Sequence, residues 1–426
     1  MFGSLEQIPG PRGDGVAGNL AAFAADPLGF LSSAREQHGD IVRIGRRNVL
    51  VADPSLVKDV LTNRSDAFTK IGTAERRTTR GSGFPRAMMN SDGRDWRLKR
   101  QRLQPLFTAG RTQAFAPRVL ERTRRLVDGW QDGQTMSICT DLRRLALELI
   151  VDYLFGPAAR IDDNSVERSV VAVMAVTASP LALPRWLPAP SNTRLWAAKR
   201  SLHRSIAQLT ENHQTPLADV LAGSDREYTH DEVATLLMSG HETTADGLGW
   251  IVDLLSRAPD VQDRLAEEAS AVELGEISDP TALPYASAVV REGLRLWPPA
   301  WITNRETLRT TCLGGYSVPG GTTIAVSQWV THRHERLYDA PVAFRPDRWL
   351  SGQPPSGFSF FPFGGGPRVC VGARLATTEL ALITAEVARQ VVIEPVTGAH
   401  ARPRVALALQ PTGMRVRVRR RNRCNS

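Results

Sequence analysis

The fold of this 426-residue chain is decided by the stretch Phe363-Gly364-Gly365-Gly366-Pro367-Arg368-Val369-Cys370-Val371-Gly372. Cys370 offers a soft anionic metal ligand, and the glycines let the backbone approach a flat surface. The residues from Gly372 onward predict a helix. Cys370 would then lie at a helix N-terminus, where backbone N–H groups and the helix dipole stabilise a thiolate. A phosphate-binding loop is disfavoured, because no Gly-Lys-Ser/Thr follows the glycines.

A second motif, Ser239-Gly240-His241-Glu242-Thr243-Thr244, lies in an apolar helical stretch. A mid-helix threonine can donate to the carbonyl four residues before it, which for Thr243 is that of Ser239, and loosen the helix. Gly240 removes a side chain where a flat cofactor could approach. The motif could thus open a groove in which Thr243 and Glu242 relay protons. On its own, Glu-Thr-Thr in a helix is usually a solvated face.

A third signal is the pair Glu292 and Arg295, which lie three residues apart on one face of a predicted helix. An ordinary salt bridge is the default interpretation, and such pairs contribute little stability. Some 50 residues later comes the segment Phe344-Arg-Pro-Asp-Arg-Trp349, which contains Arg348.

Two further signals involve arginine. Trp96 and Arg100 share a helix face at i and i+4, and Arg305 follows a Pro-Pro pair. Each arginine could be a surface residue, since only four of the 53 basic residues in this chain are lysines. Arg97, Lys99 and Arg102 on the other faces are candidates for a patch that binds a redox partner.

In this order the motifs resemble those of the cytochrome P-450 family, and the resemblance extends from Ile8 to about Val418. It implies a mainly α fold with small β-sheets, in which haem lies between a long central helix and a Cys-ligand loop. The family more often has Ala or Gly at the position of Ser239. By resemblance, Cys370 is the iron ligand, and the cofactor-binding residues are Trp96, Arg100, Gly240, Arg305, Phe363, Arg368, Cys370 and Gly372. Glu242 and Thr243 are the catalytic residues, and the structural triad is Glu292, Arg295 and Arg348.

The activity implied by the resemblance is that of a haem-thiolate monooxygenase with haem b (iron protoporphyrin IX). Ferredoxin and ferredoxin reductase would supply electrons, and one atom of O2 would hydroxylate or epoxidise a lipophilic small molecule. The stretches from Leu294 to Glu306 and from Ser179 to Leu183 resemble terpene oxygenases and carotenoid hydroxylases, which suggests a terpenoid of secondary metabolism. Polyketides, fatty acids, and aromatic or amino-acid-derived substrates remain alternatives. So do a peroxide-driven enzyme and a non-catalytic haem-binding protein.

By the same resemblance, the substrate pocket draws on several mainly apolar segments. These are Met88 and Met89, Val171 to Pro190, Leu236 and Leu237, Ala300 to Thr303, and Gln410 to Gly413.

The composition limits the expected cellular compartment and binding partners of the protein. The net charge is +9, and the basic tail from about Arg415 lacks the interleaved aromatic residues of a nucleic-acid-binding segment. We expect no nucleic-acid partner. The four cysteines form no C-x-x-C pair, which favours a reducing cytoplasm. The apolar run Leu20 to Ala25 is too short to span a bilayer, so no membrane anchor is expected.

The element pattern predicts one domain over residues 1–426, mostly helical with small peripheral sheets. Asp26-Pro27 and Asp53-Pro54 predict helix starts. Ile41 to Ile44 and Asn48 to Val51 predict a hairpin, and Thr229 predicts the cap of the helix that carries Glu242. Strands are expected at Thr322 to Gln328, Val405 to Leu409 and Met414 to Val418. The proline-rich stretch from Val171 to Pro190 predicts an apolar loop.

Overall fold

The computed structural model describes residues 3–13, 18–63, 66–70, 84–177, 189–211, 215–277, 279–351 and 357–421. These residues are mainly helical with small sheets, which confirms the predicted fold class. They divide into two compact units. Unit 1 comprises Met1–Arg77, Arg295–Ala343 and Gln353–Cys370, and unit 2 comprises Thr78–Leu294, Phe344–Gly352 and Val371–Ser426. The single domain stays a prediction.

The helices are α1 (Leu20–Ala25), α2 (Pro27–His38), α3 (Pro54–Thr62), α4 (Gly93–Leu103), α5 (Ala109–Asp128), α6 (Ile138–Phe155), α7 (Asp163–Thr177), α8 (Pro190–Glu211), α9 (Pro216–Leu221), α10 (Arg226–Ser256), α11 (Pro259–Ser270), α12 (Pro284–Leu296), α13 (Gln328–Thr331) and α14 (Ala373–Gln390). The strands are β1 (Gly3–Ser4), β2 (Ile41–Gly45), β3 (Asn48–Val51), β4 (Phe68–Thr69), β5 (Thr135–Met136), β6 (Thr303–Thr307), β7 (Thr311–Leu313), β8 (Tyr316–Val318), β9 (Thr323–Val326), β10 (Val391–Pro395), β11 (Arg402–Val405), β12 (Leu409–Thr412) and β13 (Val416–Arg420).

Unit 1 is built around a five-stranded sheet with the order β2-β3-β9-β6-β4. The β3 and β9 strands are parallel, and the other neighbours are antiparallel. A second sheet has the order β1-β8-β7. The strands present branched apolar side chains to α3, and the core of the unit includes Val49, Val51, Val57, Leu61, Ile324 and Phe361.

Unit 2 is organised by α10, a 31-residue helix that is buried along most of its length. It packs chiefly against α6. Near its end the fully buried Trp250 donates its indole N–H to the Leu409 carbonyl over 2.8 Å, which ties α10 to β12. The sheets of this unit are the antiparallel β10-β13-β5 sheet and the β11–β12 hairpin. The helix that carries the second motif is therefore fixed on several sides.

Two predicted helix starts are confirmed in unit 1. The Asp26 carboxylate accepts the Gly29 N–H over 3.0 Å at the start of α2. The Asp53 carboxylate accepts the N–H groups of Ser55 and Leu56 at the start of α3. In both cases an aspartate satisfies N–H groups that the first turn leaves without a helical partner, and a proline follows it. The hairpin predicted at Ile41 to Val51 is also present.

Three element predictions are corrected. The α10 helix begins at Arg226, because Asp225 and not Thr229 caps it by accepting the Tyr228 N–H over 3.0 Å. The strand predicted from Val405 to Leu409 is instead the end of one strand and the start of the next: Val405 ends β11, Leu409 begins β12, and residues 406–408 form the turn between them. Residues 171–177, predicted as loop, end α7, and residues 178–188 lie outside the described residues.

Candidate active site

The Cys370 loop belongs to unit 1 and is held by its own backbone. The Cys370 N–H donates to the Phe363 carbonyl over 2.9 Å, and the Val369 N–H donates to the Gly366 carbonyl over 3.1 Å. The Gly364 N–H is also bonded, to the Phe361 carbonyl. These bonds close the loop into a compact turn and leave the Cys370 side chain exposed at its end. A thiolate in this position is accessible to a metal ion.

The glycines of this loop are explained by packing as well as by access. Gly366 has a φ of +66°, and a Cβ there would lie 2.2 Å from the carbonyl oxygen of Leu61 in α3. A Cβ at Gly365 would lie 2.1 Å from the ring of Phe358. No other residue fits at either place without a shift of the backbone or the ring. The sequence indicated only the approach of a flat surface.

Unit 1 also contains three of the other predicted site residues. Phe363 and Arg368 are partly buried in the Cys370 loop. Arg305 lies on β6, is 6% exposed and donates through Nη1 to the Asn304 carbonyl over 2.9 Å. Guanidinium groups in buried or partly buried positions are suited to bidentate binding of carboxylates.

Arg295, the predicted triad member in unit 1, is fully buried. Its Nη1 donates to the carbonyls of His332 over 2.9 Å and Pro341 over 2.6 Å, and its Nη2 donates to that of Ala343 over 3.1 Å. The guanidinium also lies 4.9 Å from the ring of Tyr338. Arg295 therefore fixes the chain between residues 332 and 343, which is a structural role.

Glu292, the triad member in unit 2, is also fully buried. Its Oε1 accepts the Arg348 Nε–H and the Arg345 N–H, both over 3.0 Å, and its Oε2 accepts the Trp349 indole N–H over 2.9 Å. The predicted pairing of Glu292 with Arg348 is present. The action of the three residues as one triad stays a prediction.

On α10 the predicted hydrogen bond of Thr243 is confirmed. Its hydroxyl donates to the Ser239 carbonyl over 2.8 Å, and its side chain is exposed. Gly240 has a different neighbour from the one expected: a Cβ there would lie 2.7 Å from the side chain of Ile150 in α6. The glycine lets α6 approach α10 closely, so helix packing explains its presence directly.

Glu242 lies one residue before Thr243 and is 8% exposed. Its Oε2 accepts from the Gln410 amide over 2.9 Å, and its Oε1 lies 3.2 Å from His241 Nε2 and 3.4 Å from Arg143 Nε. Burial raises the pKa of Glu242, but the hydrogen bond and charge of His241, the charge of Arg143 and the Gln410 bond outweigh it. The pKa is therefore lowered. This carboxylate is held in its ionised form.

The sequence did not indicate the partners of Glu242. Gln410 was assigned to the substrate pocket and instead bonds Glu242, and Arg404 donates to the Gln410 side-chain oxygen over 2.8 Å. Arg143 comes from α6, about 100 residues before Glu242. The only sequence signal was His241 next to Glu242.

The residues of α4 and the start of α14 complete the set of predicted positions. Trp96 and Arg100 are both partly buried on α4, as their i and i+4 spacing indicates. Gly372 is the N-cap residue of α14, which confirms the helix predicted after Cys370. A Cβ at Gly372 would lie 3.7 Å from the Phe107 ring, an ordinary contact distance. A methyl group at Gly372 would therefore contact Phe107 without a clash.

The candidate redox-partner patch on α4 stays a prediction. The Lys99 ammonium donates to the Arg86 carbonyl, the Ser91 hydroxyl and the Asp95 carboxylate, each over 2.7 Å. Arg102 donates to the Ser224 hydroxyl over 2.6 Å. Two of the three cations are therefore engaged within the protein, and Arg97 is exposed.

Comparisons with known proteins agree with this arrangement. The family model described as Cytochrome P450 matches residues 8–404. The chain belongs to the cytochrome P450 family. It is 31% identical over 414 residues to the cyclooctat-9-en-7-ol 5-monooxygenase of Streptomyces melanosporofaciens, covering 90% of this chain and 88% of the relative. It is 32% identical to the pentalenene oxygenase of Streptomyces avermitilis, covering 95% of each.

Solved structures of P450 proteins are also similar to this chain. The P450 CYP175A1 of Thermus thermophilus superposes with a TM-score of 0.79 at 30% identity, covering 94% of this chain and 97% of that one. The retinoic acid-bound cyanobacterial CYP120A1 has a TM-score of 0.85 at 21% identity, a likeness of fold. The P450 is a monooxygenase with bacterial terpene-related relatives, and family membership implies a haem cofactor. Within the described residues, no helix is both long and apolar enough to cross a membrane.

Proposed function

We propose that this P450 monooxygenase uses haem b and electrons from ferredoxin and ferredoxin reductase to hydroxylate or epoxidise a terpenoid. The observation that carries the substrate class is the similarity, over nearly the whole chain, to a cyclooctat-9-en-7-ol 5-monooxygenase and a pentalenene oxygenase. The proposed location is the bacterial cytoplasm, where thiols stay reduced.

The donor set fits haem. Cys370 is an exposed thiol at the end of a hydrogen-bonded loop, and a thiolate is the axial ligand that favours O–O cleavage. When bound, the haem supplies dioxygen activation, in which one oxygen atom enters a C–H or C=C bond and the other leaves as water. In this proposal Arg305, Arg368, Arg100 and Trp96 bind the propionates.

In this proposal, residues of α10 deliver the protons. The Thr243 hydroxyl, which donates to the Ser239 carbonyl, orients its oxygen to accept a further proton or hydrogen bond. Glu242, the preceding residue, is ionised and buried, so it can accept a proton and release it again. With haem bound, Phe363 would help to exclude water from the sulfur of Cys370, which would tune its donor strength. Together these residues position the proton supply and shield the metal ligand.

An optical titration of the ferric protein tests the substrate class. Terpenes and carotenoids are compared with fatty acids, polyketides and aromatic amino acids. We expect only the terpenoids to move the Soret band to the high-spin position and to give an oxygenated product with ferredoxin and its reductase. A shift and product with another class would overturn the terpenoid assignment. Haem binding without oxygen consumption would favour a non-catalytic haem protein. Product formed only with peroxide would contradict the proposed role of ferredoxin as the electron donor.

A further inference from the structure

His241 is a buried histidine whose two ring nitrogens face two acceptors. It is 2% exposed, its Nδ1 lies 2.7 Å from the Leu237 carbonyl oxygen, and its Nε2 lies 3.2 Å from Glu242 Oε1. A carbonyl only accepts, so Nδ1 carries a hydrogen. A neutral imidazole with its hydrogen on Nδ1 presents a bare lone pair at Nε2, which a carboxylate would repel. The His241–Glu242 pair therefore holds one further proton between Nε2 and Oε1.

The surroundings of Glu242 decide which side of the pair holds that proton. The Gln410 amide donates to Oε2, and the Arg143 guanidinium lies 3.4 Å from Oε1. Both favour the carboxylate anion, independently of His241. The proton consequently resides on Nε2, and His241 is the imidazolium of a buried ion pair.

We propose that His241 is the residue that stores the proton for oxygen activation and delivers it through Nε2 to Glu242. The inference rests on the proposed roles of Glu242 and Thr243. On transfer, the Nε2–H bond breaks and an O–H bond forms at Glu242 Oε1. The imidazole becomes neutral and keeps its Nδ1–H bond to Leu237. Glu242 becomes a neutral acid next to Thr243, and it returns to the carboxylate when its proton is used.

Two further arginines lie near the pair. Arg143 comes from α6, and Arg404, which donates to Gln410, comes from β11. On α10 itself, Asp246 is one turn beyond Glu242, and Arg143 Nη2 lies 4.0 Å from it. Among the described residues, no group donates a hydrogen bond to either carboxylate oxygen of Asp246. Asp246 therefore has no hydrogen-bonded route to Glu242, and His241 has a direct one.

Asp163 is exposed in the first turn of α7, and burial and the neighbouring Asp162 carboxylate raise its pKa, while Arg144 and His241 oppose that shift. Both ring nitrogens of His241 face other groups, so within the described part of the chain Asp163 has no hydrogen-bonded route to the imidazole. After delivery the neutral imidazole can regain a proton only at Nε2, because Nδ1 keeps its hydrogen.

The location of the proton can be measured directly in the haem-loaded protein. The infrared absorption of protonated carboxyl groups is recorded against pH for the parent and for Glu242→Gln, both in an Asp246→Asn background. That background is needed because burial and the Glu242 charge raise the pKa of Asp246, whose band would otherwise contribute to the difference. We expect no protonated Glu242 at neutral pH in the parent. In His241→Gln we expect the Glu242 band at higher pH than in the parent, because the adjacent positive charge is lost. A protonated Glu242 in the parent at neutral pH would overturn the proposal.

Measurement of catalytic turnover then tests whether His241 delivers the proton. His241→Gln should lower the product formed per electron pair consumed by about a hundredfold, the low end of the range for loss of a general acid. In His241→Gln this ratio should stay low at every pH. His230→Gln, which replaces another buried histidine of α10, is the matched control and should resemble the parent.

A parent-like ratio in His241→Gln at every pH would also overturn the proposal. Absence of any oxygenated product from the parent would instead refute the proposed function. The infrared comparison of the parent with Glu242→Gln needs neither turnover nor a folded His241 variant, so the two failures are distinguishable.

Discussion

Glu292 and Glu242 are both buried glutamates on helices of unit 2, and they differ in the chemistry of their partners. Glu292 accepts from a guanidinium, an indole and a backbone N–H, none of which changes its charge near neutral pH. Glu242 accepts from an amide and lies beside Arg143 and His241, and a histidine can gain or lose a proton in this range. The first cluster is suited to fixing a segment of chain, and the second is suited to moving a proton.

The largest effect is expected for Glu292→Gln. The amide removes the charge opposite Arg348 and places an NH2 group where a donor already lies, so a buried ion pair is broken. We expect a loss of about 3–5 kcal/mol in the free energy of unfolding, measured by urea denaturation. Glu121→Gln, at an exposed pair with Arg118 and Arg125, is the control and should change little. Equal stability of Glu292→Gln and the parent would contradict the structural role.

Glu242→Gln should act on turnover more than on folding. His241 can release its proton when the carboxylate is removed, so no buried imidazolium is left without a counter-charge. We expect about a hundredfold loss of product per electron pair and a smaller stability loss than in Glu292→Gln. The readouts are product yield, peroxide release and urea denaturation. Normal coupling together with a large loss of stability would make Glu242 a second structural carboxylate.

The packing beneath the Glu242 cluster can be tested through Gly240. An alanine Cβ would lie 2.7 Å from the Ile150 side chain, so α6 or its side chain must shift. Overpacking of this kind costs about 1–3 kcal/mol. Addition of Ile150→Val should recover part of the loss in Gly240→Ala, as measured by thermal unfolding. Full tolerance of Gly240→Ala would show that the contact is not limiting.

A third buried glutamate, Glu379, shows the effect of burial alone on the pKa of a carboxyl group. Burial raises the pKa of Glu379 on α14 to about 8, against 4.5 for the ordinary side chain. An acid whose folded pKa is raised costs stability as pH rises above its unfolded value. We therefore expect Glu379→Gln to be stabilising, by a margin that grows between about pH 4.5 and 8 and then levels off. Between pH 5 and 6 the margin should grow by about 1.4 kcal/mol.

Glu386→Gln is the control for this pH series. Glu386 lies on the same helix and is fully buried, but it accepts from Arg124, Arg389 and Gln390. Its replacement should be destabilising at neutral pH. A margin for Glu379→Gln that does not change with pH would show that Glu379 ionises normally in the folded protein.

The parts of the structure that the sequence predicted are those set by near neighbours. The aspartate caps of α2 and α3 and the bond from Thr243 to the Ser239 carbonyl each join residues no more than four apart. The predicted start of α10 was wrong because two polar segments could cap the helix. Asp225 caps it, because it lies where the first turn begins. Residue order alone does not decide such a competition.

The partners of Glu242 could not be predicted, because they come from distant parts of the chain. Gln410 lies 168 residues along the chain from Glu242, on a hairpin whose strands were placed incorrectly. Arg143 is one of many arginines with no distinguishing pattern in the sequence. The ionised state of Glu242 depends on these contacts, so its proton chemistry emerges only when the helices and the hairpin are assembled.

The most direct test of the account is the absorption spectrum of the carbon monoxide complex of the reduced protein, compared with that of Cys370→Ser. Thiolate ligation gives the complex a strongly red-shifted Soret band, which a neutral ligand does not. We predict the red-shifted band for the parent and its loss in Cys370→Ser, with haem still bound. An unchanged band in Cys370→Ser would contradict the assignment of Cys370 as the iron ligand.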